Sequence, residues 1–127
     1  MTLTHLNPDG LHKSPVFSQG VIAEAGRTLY VGGQNGTDAS GAISGGIAEQ
    51  TTQALRNVLA VLNAAGAGPE HVAKLNIYVH MDADLQAGFQ ASREVWGDQP
   101  TAITGIRVPG LARPEALVEI DAIALLP

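Results

Sequence analysis

The chain has 127 residues, of which 45% are apolar and 15% charged, and it carries a net charge of −5. This composition predicts one globular domain over residues 1–127, and the absence of cysteine excludes disulfides, thiolate nucleophiles and cysteine-based metal sites. The sequence has no stripe of basic residues that could bind phosphates, so we expect no nucleic-acid partner. It has no apolar signal-peptide core and no run of about 18 apolar residues. We therefore expect a cytoplasmic protein with no membrane partner.

The first third of the chain is patterned for short strands and turns. Residues 1–5 are predicted to form a short edge strand, and residues 7–10 form a turn of the Asn-Pro-Asp-Gly type. Two further strands are predicted at residues 17–25 and 27–33, and the short Ala-Gly break between them predicts a hairpin. Residues 34–46 are rich in Gly, Ser, Asn and Asp and are expected to form a surface loop.

The strongest periodic signal is a helix at residues 47–65, which glycines at 66 and 68 terminate. One face of this helix collects side chains that recur every three or four residues, namely Ile47, Thr51, Leu55, Val58, Leu62 and Ala65. After a turn at residues 69–71, an alternating strand is predicted at residues 72–80.

A second helix is predicted to begin after a cap at Asp82 or Asp84 and to end at Trp96. Its inward side chains are expected to be Leu85, Phe89, Ser92 and either Val95 or Trp96. The last two strands are predicted at residues 101–108 and 116–126.

This order of elements predicts an α+β fold in which two helices cover one face of a mixed sheet. The last strand is apolar on both sides, with Ala116, Val118, Ile120 and Ala122 on one and Leu117, Ile123 and Leu125 on the other. A strand of this kind is buried on both faces. Because two helices cover only one face, we expect copies of the same chain to cover the other.

Two charged residues on the last strands are candidates for chemistry. Glu119 interrupts an apolar run and shares its strand face with Asp121. Two interpretations stay open: a solvated or ion-paired edge, or a carboxylate that orients or deprotonates water in a cleft. Arg107 is the only basic residue on the strand at 101–108, and it either pairs with an acid or holds a substrate carboxylate by two hydrogen bonds.

Other motifs indicate no cofactor or metal. The four histidines, at positions 5, 12, 71 and 80, are scattered without ligand spacing. The glycine-rich segment 31–36 follows a strand but lacks the Lys-Ser/Thr ending and a helix directly after it, so close approach of the backbone to a ligand or another chain is favoured over nucleotide binding. The Gly-x-Ser-x-Gly motif of hydrolases is absent.

Four segments in chain order resemble the RidA/YjgF family of small trimeric proteins. They are SPVFSQGV at residues 14–21, LYVGGQ at 29–34, QTTQALRNV at 50–58 and LARPEALVEIDAIA at 111–124. The resemblance implies a chorismate-mutase-like α+β fold and a homotrimer whose sheets pack together, with three clefts for small-molecule ligands between the subunits. We expect no cofactor.

In the deaminase branch of that family, the clefts hydrolyse enamines and imines of amino acids to a 2-oxo acid and ammonia. An Arg holds the substrate carboxylate, a Glu handles the water, and Tyr, Ser and Asn line the pocket. The resemblance keeps the Glu as Glu119. It places the Tyr, Ser, Asn and Arg positions at residues that cannot supply the same groups, which are Phe17, Gly32, Phe89 and Ile103.

The missing Arg leaves the activity open. A charge-assisted hydrogen bond contributes about 1.5–3 kcal/mol, and Arg107 lies roughly 13 Å along the strand from Ile103, too far to recreate the same contact. Backbone N–H groups at Gly33 and Gly105 remain available as donors.

Two hypotheses follow from this substitution. One is a hydrolase for a less charged carbonyl, imine or enamine compound, and the other is a non-catalytic small-molecule-binding or regulatory trimer. Ribonuclease or translation-inhibitor activity, which has also been attached to this family by name, is disfavoured by the acidic charge.

Overall fold

The computed structural model describes residues 3–127 and alternates short strands with two helices. The elements are β1 (Leu3–Leu6), β2 (Gly20–Ala23), β3 (Thr28–Gln34), α1 (Ile47–Ala64), β4 (Val72–His80), α2 (Leu85–Trp96), β5 (Ala102–Val108) and β6 (Val118–Leu125). A 3-10 turn at Pro69–His71 precedes β4. From β3 onward these bounds confirm the predicted elements, apart from small shifts at some of the ends.

A four-stranded sheet in the order β3-β6-β4-β5 forms the centre of the fold. β6 runs antiparallel to both β3 and β4, whereas β4 and β5 are parallel, so the sheet is mixed as predicted. Both helices lie on one face of it. The buried core between the two layers is built mainly from Val31, Leu55, Val58, Leu62, Val72, Leu75, Val118, Ile120, Ala122 and Ala124.

Helix α1 is tied to the loops at its start by side-chain hydrogen bonds. The Glu49 carboxylate accepts from the Gly46 N–H at 2.9 Å, which satisfies one of the free donors of the first turn. Gln50 is only 3% exposed. Its amide donates to the carbonyls of Gly45 and Glu115, both at 3.1 Å, and accepts from the Leu117 N–H at 2.8 Å. Gln50 therefore joins α1 to the segment that leads into β6.

Helix α2 is capped as predicted, but its predicted inward face is only partly buried. The Asp84 carboxylate accepts from the Gln86 and Ala87 N–H groups, and Gly97 ends the helix with φ of 77°. Trp96 is buried as expected. However, the predicted inward side chains Leu85 and Phe89 are 46% and 50% exposed.

Small residues of α2 pack against α1. Ala91 is buried, and a Cβ added to Gly88 would lie 3.2 Å from Ile47 Cγ1. The large side chains Leu85, Phe89 and Trp96 lie on the side of α2 that faces the sheet, and Leu85 and Phe89 are half-exposed because they border an open cavity there.

The predicted hairpin between residues 17–25 and 27–33 is wrong. β2 pairs instead with β1 in an antiparallel ribbon, from Leu3 opposite Ala23 to Leu6 opposite Gly20. Buried Ser18 fixes the ribbon: its N–H donates to Thr101 O at 3.2 Å, and its hydroxyl bonds the carbonyl of Pro100.

These contacts hold the start of β2 beside β5. Strands β5 and β3 are at opposite edges of the sheet, so one short segment cannot pair with both. Part of the predicted first edge strand, Met1 and Thr2, lies outside the described residues.

Strand β6 is buried along its helix side, whereas its other side is partly exposed except at Leu125, which is 4% exposed. Val118, Ile120, Ala122 and Ala124 face the core, while Leu117, Glu119, Asp121 and Ile123 alternate with them and are partly exposed. Cover for this second face by other copies of the chain stays a prediction. Within residues 3–127, neither helix is long and apolar enough to cross a membrane.

Candidate functional site

Glu119 lies on the sheet face that the helices leave open. It sits directly opposite Tyr78 of β4, and its sequence neighbour Ile120 packs into the core on the other side. Among the described residues, the Glu119 carboxylate has no hydrogen-bond or ion-pair partner, although the side chain is only partly exposed. It is therefore free to interact with water or with a ligand.

A glycine bulge in β3 borders this carboxylate. The register between β3 and β6 shifts between Val31 and Gln34, which places Gly32 and Gly33 in the irregular segment. A Cβ on Gly33 would overlap Glu119 Oε2 and lie 3.0 Å from its Cδ, so no larger residue fits beside the carboxylate as it stands. Bulges leave backbone groups outside the sheet ladder and are frequent next to active sites.

The second carboxylate of this face is already engaged. Asn76 donates to Asp121 Oδ1 at 2.8 Å, and on the same face Lys74 donates to the Thr104 hydroxyl at 2.6 Å. Asp121 is thus part of a polar ladder across the strands. Of the two acidic residues singled out on β6, Glu119 is the one without a partner.

A cavity of about 480 Å³ occupies the other side of the sheet, between β4, β5, β6 and the helices. Four of the expected site positions line it, namely Phe17, Phe89, Ile103 and Gly105. Ile103 and Gly105 pair with Leu75 and Ile77 of β4, which places them on the helix side. Phe17 reaches the same space from the segment before β2.

Two polar groups without partners are buried in the wall of this cavity. Thr51 and Trp96 both line it and are 4% and 8% exposed. Within the described chain, neither Thr51 Oγ1 nor Trp96 Nε1 has a hydrogen-bond partner. A buried polar group left unsatisfied costs about 1–3 kcal/mol, so each is a site where a ligand atom would be stabilising.

The two guanidinium groups near the cavity are occupied elsewhere. Arg107 donates to the backbone carbonyls of Met81 and Ala83, at 2.8 and 3.4 Å, in the turn that leads to α2. Arg93, which lines the cavity, donates to Gly97 O at 3.0 Å and pairs with Asp98. These contacts direct both charges toward loops.

The expected site residues therefore divide into two groups. Glu119 and the glycines at 32 and 33 lie on the open face, whereas Phe17, Phe89, Ile103 and Gly105 lie on the helix face. The sheet separates the groups, and one chain does not bring them together.

Sequence reasoning missed some of the residues around these groups. It did not single out Tyr78. The position of Tyr78 on the polar side of the strand at 72–80 could have indicated that it lies near a site. It treated Thr51, Ser92 and Trp96 as helix packing positions, although two hydroxyls on inward helix faces suggest a cavity.

Two carboxyl groups outside both groups of site residues, those of Asp38 and Glu115, have lowered pKa values. The Ser40 hydroxyl and then the Ala42 N–H bond Asp38 and lower the pKa of its carboxyl. The pKa of Glu115 is also lowered, first by its own backbone N–H and then by Arg113. No cluster of three His, Asp or Glu side chains suitable for a metal occurs in residues 3–127.

Comparisons with known proteins agree with one another. Residues 11–126 match the family model described as endoribonuclease L-PSP. A human protein named 2-iminobutanoate/2-iminopropanoate deaminase is 31% identical over 111 residues, covering 86% of this chain and 79% of its own. A RutC family protein of Drosophila melanogaster is 35% identical over 111 residues, covering 86% and 78%. A crystal structure from Yersinia pestis, described as a protein of unknown function of the conserved Rid protein family, superposes with a TM-score of 0.87 at 36% identity, covering 99% and 100%.

Proposed function

Because the chain belongs to the RidA/YjgF family, we propose that it hydrolyses imines or enamines of small carbonyl compounds in clefts between its own copies. The observation that carries this proposal is Glu119, a carboxylate without a partner beside a glycine bulge. Several relatives are named as imine deaminases, which supports the same chemistry. The cytoplasm is the proposed location.

A homotrimer supplies what one chain lacks. The open sheet face is partly apolar, with Leu117 and Ile123 half-buried and Tyr30 and Ile106 exposed. Packing this face against another copy removes apolar surface from water, which stabilises association. In the proposed cleft, Glu119 of one copy faces the mouth of the cavity in the next copy.

The proposed reaction needs one base and one water. Glu119 accepts a proton from water while the water oxygen forms a bond to the imine carbon. The proton passes from Glu119 to the nitrogen and gives a carbinolamine. Glu119 then takes the hydroxyl proton of the carbinolamine and passes it to the amino group, so that the C–N bond breaks and ammonia leaves a carbonyl product. Backbone N–H groups of the kind found at Gly33 and Gly105 suit the oxygen of the intermediate.

The substrate preference proposed here follows from Ile103. An isoleucine cannot bind a carboxylate, and both nearby guanidinium groups, those of Arg93 and Arg107, donate to loop carbonyls. The cleft therefore suits imines that do not depend on a carboxylate anchor.

Replacing Ile103 with arginine is expected to restore such an anchor. The KM for 2-iminopropanoate should fall by about 10-fold, since a charge-assisted hydrogen bond contributes about 1.5–3 kcal/mol, less the cost of burying part of the new side chain. Steady-state ammonia release gives the KM. Ile103→Met is the uncharged control, and an equal effect of both variants would contradict the role assigned to position 103.

Replacing Gly33 with alanine is expected to displace Glu119. The new Cβ overlaps the carboxylate oxygen, which moves at little cost because it ends a flexible side chain. We expect the rate of hydrolysis to fall about 10-fold or more, because a small displacement of a reacting group strongly lowers the rate. The free energy of unfolding should change by less than about 1 kcal/mol. Gly110→Ala, where a Cβ would meet nothing within 4 Å, is the control. Unchanged activity in Gly33→Ala would contradict the placement of Glu119.

The proposed function is tested with imines that an amino-acid oxidase generates in place. The protein should accelerate ammonia release above the spontaneous rate, and light scattering should give three times the chain mass of 13.1 kDa. Rates equal to the spontaneous ones for every imine would reject hydrolysis.

That result would favour the second candidate function, a non-catalytic trimer that binds a small molecule. Its support is the apolar character of the four positions Phe17, Gly32, Phe89 and Ile103, where the deaminase branch carries polar groups.

A further inference from the structure

The cavity behind the proposed cleft is larger than a small imine needs. An apolar cavity of about 150 Å³ is enough to hold benzene, and this one measures about 480 Å³. Its floor is formed by the apolar core residues Leu55, Leu75, Ile77, Val79 and Ile120. A space of this size and chemistry suits a branched alkyl group or an aromatic ring.

The cavity includes positions that the resemblance assigns to the cleft. Phe17, Phe89 and Ile103 line the cavity, and Phe89 is half-exposed. A Cβ on Gly105 would meet nothing within 4 Å, so this position leaves the passage clear. A ligand whose reactive carbon lies at the mouth can therefore extend its remaining atoms inward.

The wall also offers two separated polar groups. Thr51 lies beside Gly88, where an added Cβ would be 3.6 Å from its hydroxyl, and Gly88 is about 12 Å along α2 from Trp96. Both polar atoms lack a partner within the described chain, and the indole N–H can only donate. A ligand group that fits this cavity is thus mainly apolar, and it can carry a hydrogen-bond acceptor near Thr51 or near Trp96.

We propose that this cavity binds the side chain of the substrate, so that the preferred imines carry a branched alkyl or aromatic arm. The inference rests on the proposed hydrolysis at Glu119, and it names the substrate class of that site. Burying an apolar side chain of leucine or phenylalanine size should raise kcat/KM about 10- to 100-fold over the imine of alanine.

The kinetic test compares imines generated from alanine, leucine and phenylalanine. The wild-type protein should prefer the two larger ones. Ser92→Leu, which adds bulk to the cavity wall, should lower the ratio of kcat/KM for leucine imine over alanine imine by at least about 10-fold. Gln90→Leu adds the same side chain to an exposed position of α2 and should leave the ratio unchanged. Equal kcat/KM values for the three imines in the wild type, or equal leucine-to-alanine ratios of kcat/KM in the two variants, would overturn the inference.

A binding test separates this inference from the proposed reaction. Trp96 is the single tryptophan of the chain and lines the cavity, so its fluorescence reports occupancy. Titration with 4-methyl-2-oxopentanoate should saturate at a concentration about 10-fold or more below that needed for pyruvate, and Ser92→Leu should abolish the difference. Saturation with no hydrolysis of any imine would reject the reaction but keep the apolar site. Hydrolysis without this difference would reject the apolar site alone.

Discussion

Replacing Glu119 with glutamine is expected to lower the rate of imine hydrolysis by about 100- to 10,000-fold, the usual contribution of a general base. Glutamine keeps the size of the side chain but cannot accept a proton from water. The carboxylate has no partner among the described residues, so its loss should change the free energy of unfolding by less than about 0.5 kcal/mol. Ammonia release and urea denaturation measure the two effects.

Asp121→Asn is the matched control for this variant. Asp121 lies on the same strand and the same face, but its carboxylate is bonded to Asn76. We expect the Asp121→Asn protein to retain activity within a few-fold of the wild type. Full activity in Glu119→Gln would exclude Glu119 as the base, and the same large loss in both variants would show that the face needs negative charge rather than a base at position 119.

Replacing Gln50 with alanine is expected to lower the free energy of unfolding by about 3 kcal/mol. The change removes three hydrogen bonds and leaves two carbonyls and the Leu117 N–H without their partners in a buried region. Each unsatisfied buried group costs about 1–3 kcal/mol, and relaxation or water entry offsets part of the sum. Urea denaturation should show a lower midpoint with an unchanged slope.

Gln90→Ala provides the comparison for Gln50. Gln90 is exposed on α2 and has no side-chain hydrogen bond in the described chain. Its replacement should change stability by less than about 0.5 kcal/mol. A loss below about 1 kcal/mol in Gln50→Ala would mean that water replaces the three contacts, and that Gln50 does not hold α1 to the start of β6.

Local patterns in the sequence predicted most of the fold. The helix at residues 47–65 and the strand at 72–80 each carry a strong period of their own, so their limits were nearly right. The N-terminal hairpin failed because pairing depends on a distant partner: Ser18 bonds residues at the start of β5, more than 80 positions away. The inward face of α2 was predicted in the right direction, but Leu85 and Phe89 are half-exposed because they border an open cavity, which a count of apolar residues does not reveal.

The site was predictable to a similar degree. Glu119 could be singled out because a carboxylate inside an apolar strand requires an explanation. The resemblance identified Phe17, Phe89 and Ile103, and these positions do line one cavity. The cavity itself depends on the distance between α2 and the sheet. That distance is a property of packing and cannot be read from strand or helix periodicity.

The division of the expected site between opposite faces of one sheet has a consequence for symmetry. In a two-fold dimer, every contact occurs twice: if the open face of one chain met the helix face of its partner, the partner's open face would also have to meet the first chain's helix face. Two faces on opposite sides of one sheet cannot satisfy both contacts. Contacts of unlike faces run head to tail and close only as a ring. In the proposed ring, each cleft is formed by two chains, one of which contributes Glu119 and the other the cavity. An assembly mixed from Glu119→Gln chains and chains with a blocked cavity would therefore contain some clefts with both an intact Glu119 and an intact cavity.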